Sequence, residues 1–209
     1  TPDSERTFAV YLGAAIEMTP NDLDPSLFNG YTHFHIEGYL VQNHGLVRKA
    51  VELAKQSGCS ISLDLASYNV VDENRDFLRE VVKNYVDIVF ANEEEAKAFT
   101  GKTPVEALHE LGKLADIAVV KLGADGSLIK QGETTFEVGV IEVSSIDTTG
   151  AGDLYAAGFL YGLSKGLSLL KCGEIGAILS GHVIEVLGPK MDGTRWSKVK
   201  DLVLEVEKN

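Results

Sequence analysis

The chain has 209 residues, 44% of them hydrophobic, enough to bury one sizeable core in a single domain. Its formal charge is 19 − 31 = −12, which disfavours nucleic acid and anionic membrane as partners and requires any anion site to create its own local attraction. Cys59 and Cys172 are too few for a disulfide framework and point to a reducing cytoplasm, no apolar run approaches the roughly 20 residues that span a bilayer, and the charged Thr1–Arg6 does not read as a signal peptide.

Strand and helix signals alternate along the chain. Thr32–Ile36 predicts a strand. Leu46, Val47, Ala50, Val51 and Ala54 then form an apolar stripe at helical spacing that stops at Gly58, a C-terminal cap signal. Ser60–Leu65 predicts the next strand, and Phe77, Leu78, Val81, Val82 and Tyr85 make a second helical stripe before the short buried strand Ile88–Ala91. Thr103-Pro104-Val105-Glu106 joins an N-cap, a proline at the first helical position and a capping-box glutamate. Val119-Val120-Lys121-Leu122-Gly123-Ala124-Asp125-Gly126-Ser127 reads as a strand, a glycine turn and the start of another strand. Glu137–Ile146, rich in Val and Ile, predicts a further strand, and Leu154–Leu163 carries Ala156, Ala157, Phe159 and Leu160 at helical spacing. The order argues for an α/β fold, a doubly wound and mostly parallel sheet with helices on both faces, whose ligands collect at the carboxyl ends of the strands. No internal repeat, low-complexity stretch or linker divides residues 1–209.

Two segments carry chemistry. Asp147-Thr148-Thr149-Gly150-Ala151-Gly152-Asp153 bridges a predicted strand and an apolar helix. Small residues at Gly150, Ala151 and Gly152 let backbone N–H groups approach an anion, the helix dipole adds to the attraction, and the same dipole should keep Asp153 ionised. A plainer reading is a tight turn followed by a dipole-matched aspartate. In the second segment, Asn92 and Glu95 are three apart at a helix start, so an amide and a carboxylate share one side and could hold the water shell of a magnesium ion. Taken alone, Glu93-Glu94-Glu95 equally suits a solvated first turn.

The run Asp147–Asp153 followed by Ala-Ala-Gly-Phe resembles the C-terminal signature of the ribokinase-like, PfkB-type carbohydrate and nucleoside kinases, and Asn92-x-x-Glu95 resembles the family's second motif. The resemblance implies that Gly150, Ala151 and Gly152 form the anion hole for the transferring phosphate and that Asp153 is the base that takes the acceptor's proton. It implies that Asn92 and Glu95 position Mg²⁺ and the phosphate tail of ATP. Lys121–Ser127 is similar to the nucleotide-side loop, with Gly123 and Gly126 passing close to ATP, although the family often has Thr where Lys121 stands. Gly188, after a helical end at Val183, matches the loop beside the adenine and a monovalent cation, K⁺, which would use backbone oxygens of Asp147 and Thr149; Pro189 departs from the family's usual Gly-Ala there.

The implied activity is transfer of the γ-phosphoryl group of ATP to a hydroxyl of a small-molecule sugar or nucleoside, with a homodimer as one arrangement. The alternative is a catalytically silent nucleotide- or sugar-binding regulatory protein of the same fold, against which the intact Asp153 argues. A P-loop phosphotransferase is disfavoured because no Gly-x-x-x-x-Gly-Lys-Ser/Thr occurs. Relatives usually open with a glycine-rich signature, often Gly-Gly, in a segment that supplies most of a small β lid, and this chain contains no Gly-Gly. Roughly the first third of such a protein is therefore expected to be missing, with Pro2–Thr7 as a hairpin tip.

Other residues invite plainer readings. His33 and His35 share a strand face, but no Cys or third His stands at metal spacing, so no zinc site is expected. Asp64 reads either as a contact for the phosphate tail or substrate or as the cap of the following turn. Trp196 reads as a packing anchor, and His182 as a nucleotide-pocket or helix-packing residue.

Overall fold

The computed structural model describes residues 13–208; the hairpin tip expected at Pro2–Thr7 lies outside them. Among the described residues six strands form one sheet: β1 (His33–Glu37), β2 (Ser60–Asp64), β3 (Ile88–Asn92), β4 (Ile117–Lys121), β5 (Ser127–Gln131) and β6 (Thr134–Val138), in that spatial order. β1 to β4 run parallel, and β5 and β6 turn back antiparallel through tight connections. The crossovers are helical, as parallel pairing requires. They are α1 (His44–Gln56), then α2 (Tyr68–Tyr85), then α3 (Glu93–Thr100) with α4 (Pro104–Leu111). Helices α5 (Ala151–Ser164), α6 (Leu169–Val183) and α7 (Gly193–Lys208) follow the sheet.

Side-chain alternation along the strands splits the core in two. Ile61, Leu63, Val89, Ala91, Ala118, Val120 and Leu128 pack with α1 to α4 on one face, whereas Ile88, Phe90, Ile117, Val119 and Ile129 pack with Tyr155, Ala156 and Phe159 of α5 on the other. Both faces being covered explains why these strands read as nearly continuous apolar runs. Phe90 meets Phe159 edge-to-face with centroids 5.4 Å apart, fixing α5 over β3.

Local signals behave as their chemistry dictates. Asn43 Oδ1 accepts from Leu46 N at the start of α1 (3.1 Å), and the chain leaves α1 through Gly58 at φ +80°. Pro104 opens α4, where Glu106 accepts from Thr103 N.

One expectation fails. The strand expected over Glu137–Ile146 ends at Val138, and 139–146 is irregular. Ile141 instead lies against α6, where a Cβ on Gly181 would stand 2.3 Å from its Cγ1. Of the Val and Ile residues there, Ile141 packs against a helix, whereas Val140 and Ile146 are exposed.

Candidate active site

The carboxyl ends of β1 to β4 and the N-terminus of α5 converge on a cleft of about 1010 Å³. Its wall includes Asp64, Asn92, Glu95, Lys121, Gly123, Gly126, Gly150, Ala151, Gly152 and Asp153, so the sequence-predicted nucleotide and catalytic residues are brought together, except Gly188 and Asp147. It also includes Glu37 from β1.

The candidate anion cradle is a backbone turn. Gly150 is the N-cap of α5 at φ +82°, and a Cβ there would stand 2.7 Å from Pro189 Cβ, so conformation and contact both demand glycine. Pro189, the departure from the family pattern, thus packs over the cradle. Gly126, at φ +90°, is held as tightly, since a Cβ on it would meet Val138 O at 2.0 Å. The loop before α5 is clamped by Asp147, whose Oδ1 accepts from Thr149 N (2.9 Å) and Oγ1 (2.7 Å), and whose Oδ2 accepts from Gly188 N (2.8 Å). Gly188 therefore acts on the site through Asp147, behind the cleft wall.

Asn92 is the N-cap of α3 and Glu95 its third residue, locked in a reciprocal capping box. Asn92 Oδ1 accepts from Glu95 N (2.9 Å); Glu95 accepts from Asn92 N and Asn92 Nδ2, each at 2.7 Å. The spacing that resembles a metal motif is thus also a structural cap, and Asn92 spends its amide on aiming Glu95. Burial, followed by the charge of Asp64, pushes the Glu95 carboxyl up to about 7 against the opposing pull of Lys121.

The structure bears out the turn-capping reading of Asp64 and also places the residue in the cleft wall. Its Oδ1 accepts from Ala66 N (3.1 Å), capping the turn, and its Oδ2 accepts from Lys121 Nζ (2.6 Å) inside the cleft. Burial alone would lower the Lys121 amine, but Asp64 and Glu95 outweigh it and hold it above the ordinary lysine value. Ala66, between Asp64 and α2, sits at φ +66°, the one non-glycine residue with positive φ among the described residues. Such strain concentrates at functional sites.

Asp153 occupies the third position of α5 and faces the cleft. Burial, then the charges of Glu37 and Asp64, raise its carboxyl from the ordinary value, with Lys121 opposing, so the helix dipole is not the only influence on its charge. A raised value makes a carboxylate a better proton acceptor.

Sequence reasoning missed the buried pair Tyr155 and Ser127, whose hydroxyls meet at 2.6 Å in the cleft wall and whose burial pushes the Tyr155 phenol up to about 12. The position of Tyr155 two residues after Asp153 was the available signal. His33 Nε2 and His35 Nδ1 both bond to Ser62 Oγ, at 2.8 and 2.7 Å. His182, buried, bonds through Nδ1 to Glu185 (2.8 Å), and Trp196 packs under α6, so both serve helix packing.

The site suits magnesium and a nucleoside triphosphate in kind. Among the described residues no set of three or more His, Cys, Asp or Glu could cage a metal. Mg²⁺ commonly takes one or two carboxylates, several waters and the phosphates of its substrate, and the buried, braced Glu95 in the cleft wall is a carboxylate that could hold such an ion. No helix among the described residues is long and apolar enough to cross a membrane.

Comparison with known proteins agrees with this geometry. The chain is 33% identical over 122 residues to an ATP-dependent 6-phosphofructokinase of Thermoanaerobacterium thermosaccharolyticum, covering 57% of this chain and 38% of that protein. It is 28% identical over 212 residues to the adenosine kinase of Saccharomyces cerevisiae, covering 93% and 62%. The crystal structure of adenosine kinase from Sinorhizobium meliloti superposes with a TM-score of 0.86 at 33% identity, over 92% of this chain and 61% of that one. The chain thus spans less than two thirds of the length of each. The profile of pfkB family carbohydrate kinases matches residues 1–192, and the chain belongs to that family.

Proposed function

We propose that this chain carries the nucleotide and catalytic side of an ATP-dependent kinase that transfers the γ-phosphoryl group to a hydroxyl of a sugar or nucleoside. The observation that carries the reading is the meeting of Asp153, the Gly150–Gly152 backbone cradle and the Asn92-braced Glu95 in one cleft. The amides of the cradle stabilise charge on the transferring phosphate in a preorganised way. Asp153 accepts the acceptor hydroxyl's proton as its oxygen bonds to the γ-phosphorus, and the β–γ bridging oxygen leaves with ADP.

Magnesium, when bound, neutralises and orients the phosphate oxygens, and Glu95 would hold it through water while Asn92 fixes the carboxylate's direction. Asp147 and Thr149 would offer backbone oxygens to a potassium ion in the loop that Asp147 clamps. The 6-phosphofructokinase and adenosine kinases among the relatives support a small hydroxylated acceptor.

The test is ADP formation by the full-length protein with ATP, Mg²⁺ and a panel of ribose, fructose, other hexoses and adenosine. One acceptor should raise ADP release well above the acceptor-free rate. No acceptor-dependent release across the panel would favour a silent binding protein instead.

A further inference from the structure

The charged side chains lining the cleft that the kinase reading assigns to a polyanion are nearly all carboxylates. Glu37, Asp64, Glu93, Glu94, Glu95, Glu142 and Asp153 all contribute to its wall, and Lys121 is the one basic side chain among the lining residues described. A nucleoside triphosphate entering such a field meets repulsion unless cations offset it. Lys121 is placed to do this. It ends β4 in register with Asn92 of β3, and its side chain reaches past β3 to Asp64 of β2, where Nζ stands 2.6 Å from Oδ2. It is also at the cradle, since a Cβ built on Gly152 would stand 3.1 Å from Lys121 Nζ. Gly152 thus keeps open the short path between the ammonium and any anion seated on the α5 amides.

We propose that Lys121 is a fixed cation for the terminal phosphate: its ammonium, tethered by Asp64, forms the side-chain wall of the Gly150–Gly152 cradle and bonds the γ-phosphoryl oxygens. The inference rests on the kinase reading and adds to it a binding residue and a source of discrimination between nucleoside tri- and diphosphates. An ammonium offers three donors, of which Asp64 Oδ2 takes one, so one group can hold its tether and a phosphate oxygen together. Asp64 then acts as a positioning residue, fixing where the charge stands. The side chains of this pair are only 15% and 10% exposed, so water screens the ammonium poorly and its field acts on the cradle at close range. A purely structural ion pair would tie β2 to β4 and leave nucleotide preference untouched, which separates the two roles experimentally.

The test measures the Kd of ATP and of ADP, each with Mg²⁺, by calorimetry on the full-length protein and on Lys121→Met. Lys121→Met should weaken ATP at least about tenfold and leave ADP within about twofold, as expected when one charge-assisted bond to the terminal phosphate is lost. Because removing the cation leaves Asp64 buried and unpaired, Asp64→Asn and Asp64→Asn/Lys121→Met form a second pair. The same selective loss of ATP should separate them if the single Lys121 variant does not fold. An unchanged ratio of ATP to ADP affinity in a folded variant overturns the inference and leaves the kinase reading standing. Wild-type protein that binds neither nucleotide overturns both.

Discussion

The two walls of the cleft solve the same problem by different means. The wall at the ends of β2, β3 and β4 works with side chains: Asp64, Glu95 and Lys121 project from elements packed by large aliphatic residues, and each is held by a hydrogen bond to another part of the wall. The α5 wall works with backbone. Gly150 and Gly152 line the cleft without a side chain, and the helix behind them packs on α6 through glycines, where a Cβ on Gly158 would stand 2.9 Å from Ile175 O and one on Gly176 would stand 2.9 Å from Tyr155 O. The side-chain wall should therefore tolerate isosteric changes that alter chemistry and spare the fold. The backbone wall should lose function and stability together.

The sharpest break of that contrast is Gly150→Ala. A side chain at φ +82° against Pro189 should displace the amides and lower kcat by about a hundredfold, on the scale of losing one oxyanion-hole donor. The same change should cost on the order of 2 kcal/mol in stability, read by denaturant titration. A variant with normal turnover and stability would remove the cradle from the account.

Gly158→Ala, away from the cleft, should lower stability by about 1–2 kcal/mol, because overpacking against α6 exceeds the gain in helix propensity. Its ATP affinity should stay near wild type, and a stabilised Gly158→Ala protein would show that α5 and α6 are not closely apposed.

On the other wall, Glu95→Gln should raise the Mg²⁺ concentration for half-maximal rate severalfold. It should also change the pH dependence of stability. The folded carboxyl titrates near 7, above its reference value of 4.5, so the folded state holds a proton that the unfolded chain releases. The stability contributed by this group is fully present below about 4.5 and is lost as pH rises through 7. Glu95→Gln should flatten that slope in metal-free urea titrations, and an unaltered slope would assign it to other groups.

The smallest expected effect belongs to Glu37→Gln. Removing the charge that helps raise Asp153 should lower the Asp153 pKa and move the acid limb of the kcat profile to lower pH by a fraction of a unit. A shift to higher pH would contradict the assignment of Glu37 as a like-charge neighbour.

What the sequence made legible was local. The strand before Asn92, the cap of α4 and the glycine turn into α5 each depend on residues a few positions apart, and the structure realises them. Lys121 was legible as a residue of the nucleotide-side loop, but its tie to Asp64 was not, because that reach depends on β2 and β4 flanking β3, an ordering no short segment encodes. The groups that raise the Asp153 carboxyl were hidden for the same reason. The helix dipole is read from neighbours in sequence, whereas Glu37 and Asp64 arrive from β1 and β2. Segment 139–146 misled because its Val and Ile residues suggest a strand without fixing a partner: Ile141 lies half-buried against α6, and Val140 and Ile146 are exposed.

The account stands most directly on Asp153→Asn, studied in the full-length protein with the acceptor that supports turnover. The substitution keeps the side chain's shape and removes its capacity to take a proton. Single-turnover transfer of labelled phosphate should fall by at least about a hundredfold while the Kd for ATP stays within about twofold. Transfer at the wild-type rate in that variant would contradict the account, because proton acceptance would then lie with another group and the meeting of the two walls at Asp153 would not be the catalytic centre.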